Sequence, residues 1–351
     1  MDKIINVSDT GIVKVVSWIL LVVLLTVILK SMAFLFIPLS ISLLLCYALG
    51  IPMDFLQRFR IPSSLRIFLV VLFIFGLIYL LGNLVSVNIL EFQKQLPIFE
   101  SKFWEYAKSI LAWLDISPDQ VKEMYNSFLE SISGSSLKPV GIIVKKLSGS
   151  FFSFLGNMIW VILFMIFMLA ERESFTERIV KAMGEANSAS VLDAIERINK
   201  AVQDYLGLKT LISILTGILV TITLMLLQVP FAVLWGVLTF LLNFIPNIGS
   251  LIAVMPPIII ALFDSGSFAK MFFVAFLLIV IQTLVGNVVE PKVMGKGLNL
   301  SPLVVLLSLV FWGWMWGIPG MLLSVPLTAA IKIACEQLES TRTVAVLMSG
   351  K

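Results

Sequence analysis

Long apolar runs follow one another along most of this 351-residue chain, and they limit what it can fold into. An α-helix needs about 20 apolar residues to cross the hydrocarbon core of a bilayer. Only 13% of the residues are charged and 59% are hydrophobic, whereas soluble domains carry roughly 25% charged residues. The sequence therefore predicts an all-α polytopic membrane protein and excludes a soluble enzyme. The apolar runs cover residues 12–29, 32–51, 66–90, 150–170, 208–228, 231–246, 249–263, 271–289, 302–317 and 319–335.

The composition also narrows the chemistry that the chain can perform. It contains no histidine, which removes the commonest general base and the commonest metal ligand. Cys46 and Cys335 both lie inside apolar runs, as packing cysteines do, so we expect neither a disulfide nor a metal site. The chain has no phosphate-binding loop, and its net charge of +4 gives no argument for nucleic-acid binding. We therefore expect no enzyme activity, no cofactor and no nucleic-acid partner.

The basic residues predict the orientation in the membrane. The first two apolar runs are separated only by Lys30 and Ser31, which predicts a tight hairpin of two membrane helices. The loop 52–66 that follows contains three arginines. Because short loops rich in Arg and Lys stay in the cytoplasm, this loop predicts cytoplasmic N- and C-termini. The same topology places the basic segment 171–207 inside and the segment 91–149 outside.

The alternation of apolar and polar segments predicts that the chain divides into five parts. The insert between the third and fourth membrane helices shows helical spacing of aromatic residues with charges between them. We interpret it as a small helical flap packed against its own membrane part or a neighbouring subunit, rather than as a ligand-binding site. The predicted parts are 1–90 with the first three membrane helices, 91–149 as an extracytoplasmic helical soluble insert, 150–207 with the fourth membrane helix and a cytoplasmic amphipathic helix, 208–340 as a C-terminal transport core, and 341–351 as a cytoplasmic tail.

Four short apolar runs in the C-terminal core form two pairs, each broken at its centre. The first pair turns at 245–250 and the second at 317–320. Each pair follows a longer helix and a proline, and the predicted topology gives the two pairs opposite orientations. About six full membrane helices plus two re-entrant hairpins in an inverted repeat would explain this pattern. Four ordinary short or tilted spans with proline kinks are the alternative. The residues expected to form the breaks or gates are Pro246, Gly249, Pro291, Pro319, Gly320 and Pro326.

Three polar residues end the long run 271–289. Thr283, Asn287 and Glu290 have the spacing i, i+4 and i+7, which predicts that they share one face of an α-helix. An ionisable residue at membrane depth is by default a candidate functional residue. Alternatively, Glu290 has already reached the lipid headgroups, because the following Pro291 marks a helix end.

Further polar candidates flank the first break. The amide and hydroxyl groups of Asn243, Asn247 and Ser250 suit a neutral polyol or a partly dehydrated cation. Asn247 alternatively serves only the turn after its preceding proline. In the last apolar run, Lys332 is a possible charge partner of Glu290 in one state of a cycle, or a side chain that snorkels to the cytoplasmic surface.

The chain resembles the autoinducer-2 exporter family of bacterial membrane proteins over nearly its whole length. The resemblance implies a homo-oligomeric transporter that exports a small polar signalling molecule. Some relatives look like sodium/proton antiporters, so the family does not fix the substrate. Asn299 and Ser301 stand where the family often has glycine and histidine. The matching stretches are Tyr205-Leu-Gly-Leu-Lys209-Thr210, Phe244-Ile-Pro246-Asn-Ile-Gly249, Asn287-Val-Val-Glu290-Pro291-Lys-Val-Met-Gly295, Leu298-Asn-Leu-Ser-Pro302, and Gly313-Trp-Met-Trp-Gly317-Ile-Pro319-Gly320 with Pro326.

Three hypotheses for the function follow. The first is a secondary transporter of a small polar solute in the bacterial inner membrane, in which Glu290 couples transport to protons or binds a cation such as sodium. The second is a sodium or lithium/proton antiporter. The third is a membrane scaffold or oligomeric pore that transports nothing by itself.

Overall fold

A computed structural model describes residues 7–113, 123, 139–246, 248–294, 298–337, 339 and 341–350. These residues fold almost entirely into α-helices, and the only pairing between extended residues among them is an isolated antiparallel bridge between Leu300 and Ser349. The predicted site residue Asn247 and much of the predicted insert lie outside the described residues.

The helices follow one another with short connections. They are α1 (Val7–Ser31), α2 (Ala33–Ala48), α3 (Gly50–Arg58), α4 (Ser63–Trp113), α5 (Pro139–Met183), α6 (Glu185–Leu226), α7 (Ala232–Leu242), α8 (Ile248–Ser265), α9 (Phe268–Leu284), a π-helical turn (Val285–Val289), α10 (Glu290–Met294), α11 (Pro302–Trp316), α12 (Ile318–Gln337) and α13 (Arg342–Met348).

The prediction of an all-α polytopic membrane protein is confirmed. Within the described part of the chain, five helices are long and apolar enough to cross a bilayer, and a bent helix pair raises this number to six if it forms one span. Their outer faces carry large apolar side chains. Exposure of these side chains to water would be unfavourable, whereas contact with lipid tails is not. The five helices are Ser63–Asn88, Ser188–Leu226, Ile248–Ser265, Phe268–Met294 and Ile318–Gln337.

The prediction of a tight hairpin at Lys30-Ser31 is wrong. The axes of α1 and α2 meet at 89°, so the chain turns by a right angle and does not reverse. The reason is that the helical hydrogen bonding barely breaks: the Met32 N–H still donates to the Ile28 carbonyl at 2.9 Å. A reversal of direction between two helices needs a loop of about 2–5 residues, and only one residue separates α1 from α2.

Each of the two predicted C-terminal breaks is a tight turn between a shorter and a longer helix. The first pair joins α7, of 11 residues, to α8, of 18 residues. The second joins α11, of 15 residues, to α12, of 20 residues. A Cβ atom at Gly249 would lie 1.8 Å from the Leu242 carbonyl oxygen, and one at Gly320 would lie 2.0 Å from the Trp312 carbonyl oxygen. Glycine is therefore required at both turns, because the backbones approach too closely for any side chain.

The chain divides into two compact units. One comprises Met1–Tyr47, Trp160–Val202 and Leu298–Lys351, and the other comprises Ala48–Ile159 and Gln203–Gly297. The second hairpin belongs to the first unit, where Trp312 and Trp316 form its buried core. The Trp316 indole N–H donates to the Leu29 carbonyl at 3.0 Å, which fixes that hairpin to the end of α1.

The first hairpin belongs to the other unit and packs against α4. The helix α4 continues beyond its apolar part, and its Phe92 and Phe99 contact Phe231, Trp235 and Phe263. Further along, the Tyr106 ring stacks on Phe263. The first part of the predicted insert is thus a continuous extension of a membrane helix, held by a row of aromatic contacts against its own hairpin.

Candidate functional site

A buried ion pair lies between α6 and α10. Lys209 Nζ is 2.5 Å from Glu290 Oε1, and the two side chains are 5% and 23% exposed. Both residues belong to the unit that contains the first hairpin. A charge inside an apolar helix bundle is strongly unfavourable unless an opposite charge neutralises it. Lys209 and Glu290 therefore depend on each other.

The backbone around Glu290 departs from an α-helix. Val285–Val289 form a π-helical turn, and the Glu290 N–H donates to the Val285 carbonyl. In an α-helix the ring of Pro291 would clash with the Asn287 carbonyl, and Pro291 has no N–H to donate. The wider turn accommodates the proline, so the chain remains helical through α10. The expectation that Pro291 ends the helix is therefore wrong.

The same turn changes which way Glu290 points. One extra residue in a helical turn rotates the following side chains by about 100°. Thr283 and Asn287 are exposed, whereas Glu290 is partly buried against Lys209. The predicted single face with all three polar residues is thus wrong, because the i, i+4, i+7 spacing assumes an uninterrupted α-helix. π-helical turns occur frequently at functional sites.

A buried polar stripe runs along α6 from Lys209. Ser213 and Thr216 follow it at i+4 and i+7, and both are fully buried. The Thr216 hydroxyl is satisfied by its own helix, donating to the Ile212 carbonyl at 2.7 Å. The Ser213 hydroxyl instead accepts a hydrogen bond of 3.0 Å from the side-chain amide of Asn243 at the end of α7. The stripe therefore joins the ion pair to the first hairpin break.

Two buried polar atoms of the same unit have no hydrogen-bond partner among the described residues. They are the Thr239 hydroxyl oxygen and the Gln282 amide nitrogen. Thr239 precedes Asn243 by one turn on α7, so both lie on one side of that helix. A buried polar group without a partner is unfavourable by about 1–3 kcal/mol. Such groups are suited to bind a polar solute that passes through the helix bundle.

The structure places the sequence-predicted residues in three groups. Asn243 and Glu290 both contact α6, through Ser213 and Lys209. Thr283 and Asn287 are exposed, and Ser250 is partly buried near the start of α8. The hairpin residues Pro246, Gly249, Pro319, Gly320 and Pro326 lie at the turns or within the helices that follow, and Pro291 lies in the first turn of α10.

The possible charge partner Lys332 has a different partner in this structure. Its Nζ is 3.1 Å from Glu336 Oε1, one turn further along α12, and its side chain is 4% exposed. Glu290 is paired with Lys209 instead. The side chain of Lys332 is thus buried in an ion pair within its own helix and does not snorkel to the surface.

Lys209, Ser213 and Thr239 were not among the site residues predicted from the sequence. The sequence does contain a pattern that could have identified Lys209 and Ser213, because Lys209, Ser213 and Thr216 repeat at helical spacing inside an otherwise apolar run. Polar residues at that spacing in a membrane helix indicate a face turned toward other helices. The partner of each polar residue, by contrast, depends on the tertiary packing.

The arrangement can bind and release charge without any metal. Within the described ranges no group of three or more Asp, Glu, Cys or His residues is placed to hold a metal ion. Protonation of Glu290, or the arrival of another cation, would remove its attraction for Lys209. The freed ammonium group and the hydroxyl and amide groups of the stripe could then bind a polar solute.

Span-length apolar helices that enclose an ion pair and a buried polar stripe are typical of membrane transport proteins. The chain belongs to the AI-2E family of transporters: the family model described as "AI-2E family transporter" matches residues 17–340. The resemblance to this family that the motifs suggested is thereby confirmed.

Individual relatives agree with this assignment. The chain is 34% identical over 319 residues to "AI-2 transport protein TqsA" of Escherichia coli K12, covering 89% of each chain. It is also 34% identical over 328 residues to a Haemophilus influenzae protein named "Putative transport protein", covering 91% of each chain. A Borreliella burgdorferi protein of the same name is 31% identical over 316 residues, which cover 90% of this chain and 84% of the relative. The protein is therefore a multi-pass membrane transporter whose partners are the lipid bilayer and a small solute.

Proposed function

We propose that this protein is a secondary transporter that moves a small polar solute outward across the bacterial inner membrane. The observation that carries the proposal is the buried pair of Lys209 and Glu290 at the end of a buried polar stripe. The name of the Escherichia coli relative supports autoinducer-2 as the first solute to test.

The pair acts as a switch in this mechanism. While Glu290 is ionised, it holds Lys209 and keeps α10 against α6. When Glu290 takes up a proton, Lys209 loses its partner and becomes free to bind an oxygen of the solute. Removing one partner of a buried ion pair is unfavourable by about 3–5 kcal/mol. Proton uptake by Glu290 and solute binding by Lys209 are therefore linked in this proposal, so that both move outward together down the gradient of the solute.

The polar stripe forms the solute path. Asn243 and Ser213 already pair across α6 and α7, while Thr239 and Gln282 offer buried atoms without partners among the described residues. Hydroxyl and amide groups bind polyols and similar neutral solutes by hydrogen bonding. Thr283, Asn287, Asn247 and Ser250 are proposed to line the ends of the path, where solute enters or leaves.

The hairpins are proposed to be re-entrant gates, with both chain termini in the cytoplasm and the transporter assembled as a homo-oligomer. The tight turns at Gly249 and Gly320 support this role, since each brings two helices together at a narrow tip. Ile248 and Ile318 are exposed at the two turns and suit cysteine labelling in a background that lacks Cys46 and Cys335. Re-entrant tips would be labelled from an aqueous path and protected by solute, whereas ordinary span ends would be labelled from one side regardless of solute.

Efflux of autoinducer-2 from proteoliposomes tests the proposal. Glu290→Gln should abolish flux, because the neutral amide cannot take up a proton, and size-exclusion chromatography checks that the variant still assembles. Glu171→Gln is the matched control, because Glu171 is exposed and pairs with the exposed Arg178. Undiminished flux with Gln at 290 would remove the carboxylate from the mechanism. Absence of flux in the wild-type protein for every solute offered would favour a scaffold or pore.

A sodium or lithium/proton antiporter is the second candidate. The observation that favours it is that Glu290 already contacts a cation, the Lys209 ammonium, at 2.5 Å. A small metal cation could compete for the same carboxylate. An antiporter would dissipate a preset pH gradient when sodium or lithium is added, without any organic solute.

A further inference from the structure

A polar cavity lies in the unit that contains the second hairpin. It has a volume of about 470 Å³ and lies among the first half of α6, the end of α12 and the short helix α13. This volume falls within the range of about 300–1,000 Å³ that is usual for small-molecule sites. The residues that line it are Arg197, Glu336, Gln337, Arg342, Val346 and Ser349. None of them belongs to the Lys209–Glu290 ion pair or to the buried polar stripe of α6.

The lining offers hydrogen-bond donors that are not yet used. The Arg342 guanidinium and the Gln337 amide make no hydrogen bond or ion pair within the described part of the chain. Arg197 donates through one nitrogen to Asp193 at 2.8 Å, which leaves the other N–H groups of its planar fork. Two guanidinium groups on one cavity suit the oxygens of a phosphate, since each fork can donate two parallel hydrogen bonds.

The charge of the cavity also favours an anion. Its one acidic lining residue, Glu336, is already neutralised by Lys332, whose Nζ lies 3.1 Å from the carboxylate. Arg197 is likewise paired with Asp193, so Arg342 remains as the excess positive charge on the cavity wall. A cation or a neutral sugar would leave that charge unbalanced.

The wall formed by α13 is fixed to the rest of its unit. The Ser301 N–H donates to the Met348 carbonyl at 3.0 Å, and the Gly350 N–H donates to the Asn299 carbonyl at 3.1 Å. These bonds tie the C-terminal segment to the residues that lead into α11. The backbone at the end of α13, including Ser349, is thus held in position before any ligand binds, which lowers the entropic cost of binding.

We propose that this cavity is a binding site for a phosphate-bearing anion, separate from the transport path. Two sources share this chemistry: a free phosphorylated solute and the headgroup of an anionic lipid. Basic pockets among membrane helices are known to hold lipid phosphates.

Purified full-length protein in detergent allows both sources to be tested. Inorganic phosphate is titrated against chloride at equal ionic strength, with thermal unfolding as the readout. In a parallel arm, retention of phosphatidylglycerol and of phosphatidylcholine is measured by native mass spectrometry. Arg342→Gln should bind phosphate or phosphatidylglycerol at least about tenfold more weakly than the wild-type protein, because the two-pronged contact is lost. The matched control is Arg178→Gln, an exposed arginine of the same unit outside the cavity.

The two arms of the experiment distinguish a free phosphate-bearing anion from an anionic lipid headgroup. A phosphate-induced rise in melting temperature that Arg342→Gln abolishes supports a free anion, and an Arg342-dependent retention of phosphatidylglycerol over phosphatidylcholine supports a lipid. Gln337→Glu provides a second variant if Arg342→Gln does not fold, since a carboxylate in the cavity should repel either anion. If the cavity variants and Arg178→Gln behave like the wild-type protein in both arms, the proposal is overturned.

Discussion

At the scale of single residues, two charges inside an apolar helix bundle determine the candidate site. Lys209 is almost fully buried, and its only ion-pair partner among the described residues is Glu290. Neither charge is stable there alone, because hydrocarbon and packed side chains cannot replace the water that each has lost. This mutual dependence makes the pair a structural element and is the reason we propose that it also acts as a switch.

Removing one member of the pair should therefore destabilise the protein. We expect Glu290→Leu to lower the unfolding free energy by about 3–5 kcal/mol, because Lys209 keeps a buried charge without a partner. The double variant Lys209→Met, Glu290→Leu should recover most of this loss. Thermal unfolding in detergent measures both effects. Equal stability of the single and double variants would show that the two side chains are not coupled.

The backbone conformation of Asn299 explains how asparagine can stand where the family often has glycine. Its backbone φ is +49°, in the left-handed region that glycine favours and that asparagine tolerates better than most residues. Asn299→Gly should leave the melting temperature nearly unchanged, whereas Asn299→Val should destabilise the protein by about 1–2 kcal/mol. A valine variant as stable as the wild-type protein would contradict the left-handed assignment. Ser301, the other departure, caps α11 by accepting a hydrogen bond from the Val304 N–H.

At the scale of elements, tight turns and one π-helical turn position the site. The turn before α8 depends on Gly249, which leaves no room for a Cβ atom beside the Leu242 carbonyl. The π-helical turn before α10 depends on Pro291 and rotates Glu290 toward Lys209. Local backbone geometry thus decides which side chains meet.

Gly249→Ala should disrupt the first hairpin. The added methyl group would clash with backbone, which cannot move aside without opening the turn. Gly76→Ala is the matched control, because a Cβ atom there meets no atom within 4 Å. We expect a lower melting temperature and a lower yield of folded protein on size-exclusion chromatography for Gly249→Ala alone. Similar behaviour of the two variants would refute the role given to this turn.

Pro291→Ala tests the π-helical turn. Alanine supplies the missing N–H and removes the ring clash, so the helix can return to α-helical geometry. Glu290 would then rotate by about 100° away from Lys209. We expect transport to fall as far as with Glu290→Gln while the protein still folds. Wild-type flux would indicate that the proline does not position Glu290.

At the scale of the whole molecule, hydrophobic length predicted the fold class and the two C-terminal helix pairs. It did not predict the right-angle bend after Ser31, because composition alone does not distinguish a bend from a reversal. It also missed the partner of Glu290. Contacts between distant segments, such as Lys209 with Glu290, depend on packing that no local spacing encodes. The domain boundaries and the membrane topology stay predictions.

The coupling of solute movement to protons through the Lys209–Glu290 pair can be tested in one experiment. Autoinducer-2 efflux and internal pH are recorded together in proteoliposomes that contain either the wild-type protein or the neutral double variant Lys209→Gln, Glu290→Gln. We expect the wild-type protein to move protons with the solute, and the double variant to show no solute-dependent pH change. Retention of the full solute-dependent pH change in the double variant would contradict the account.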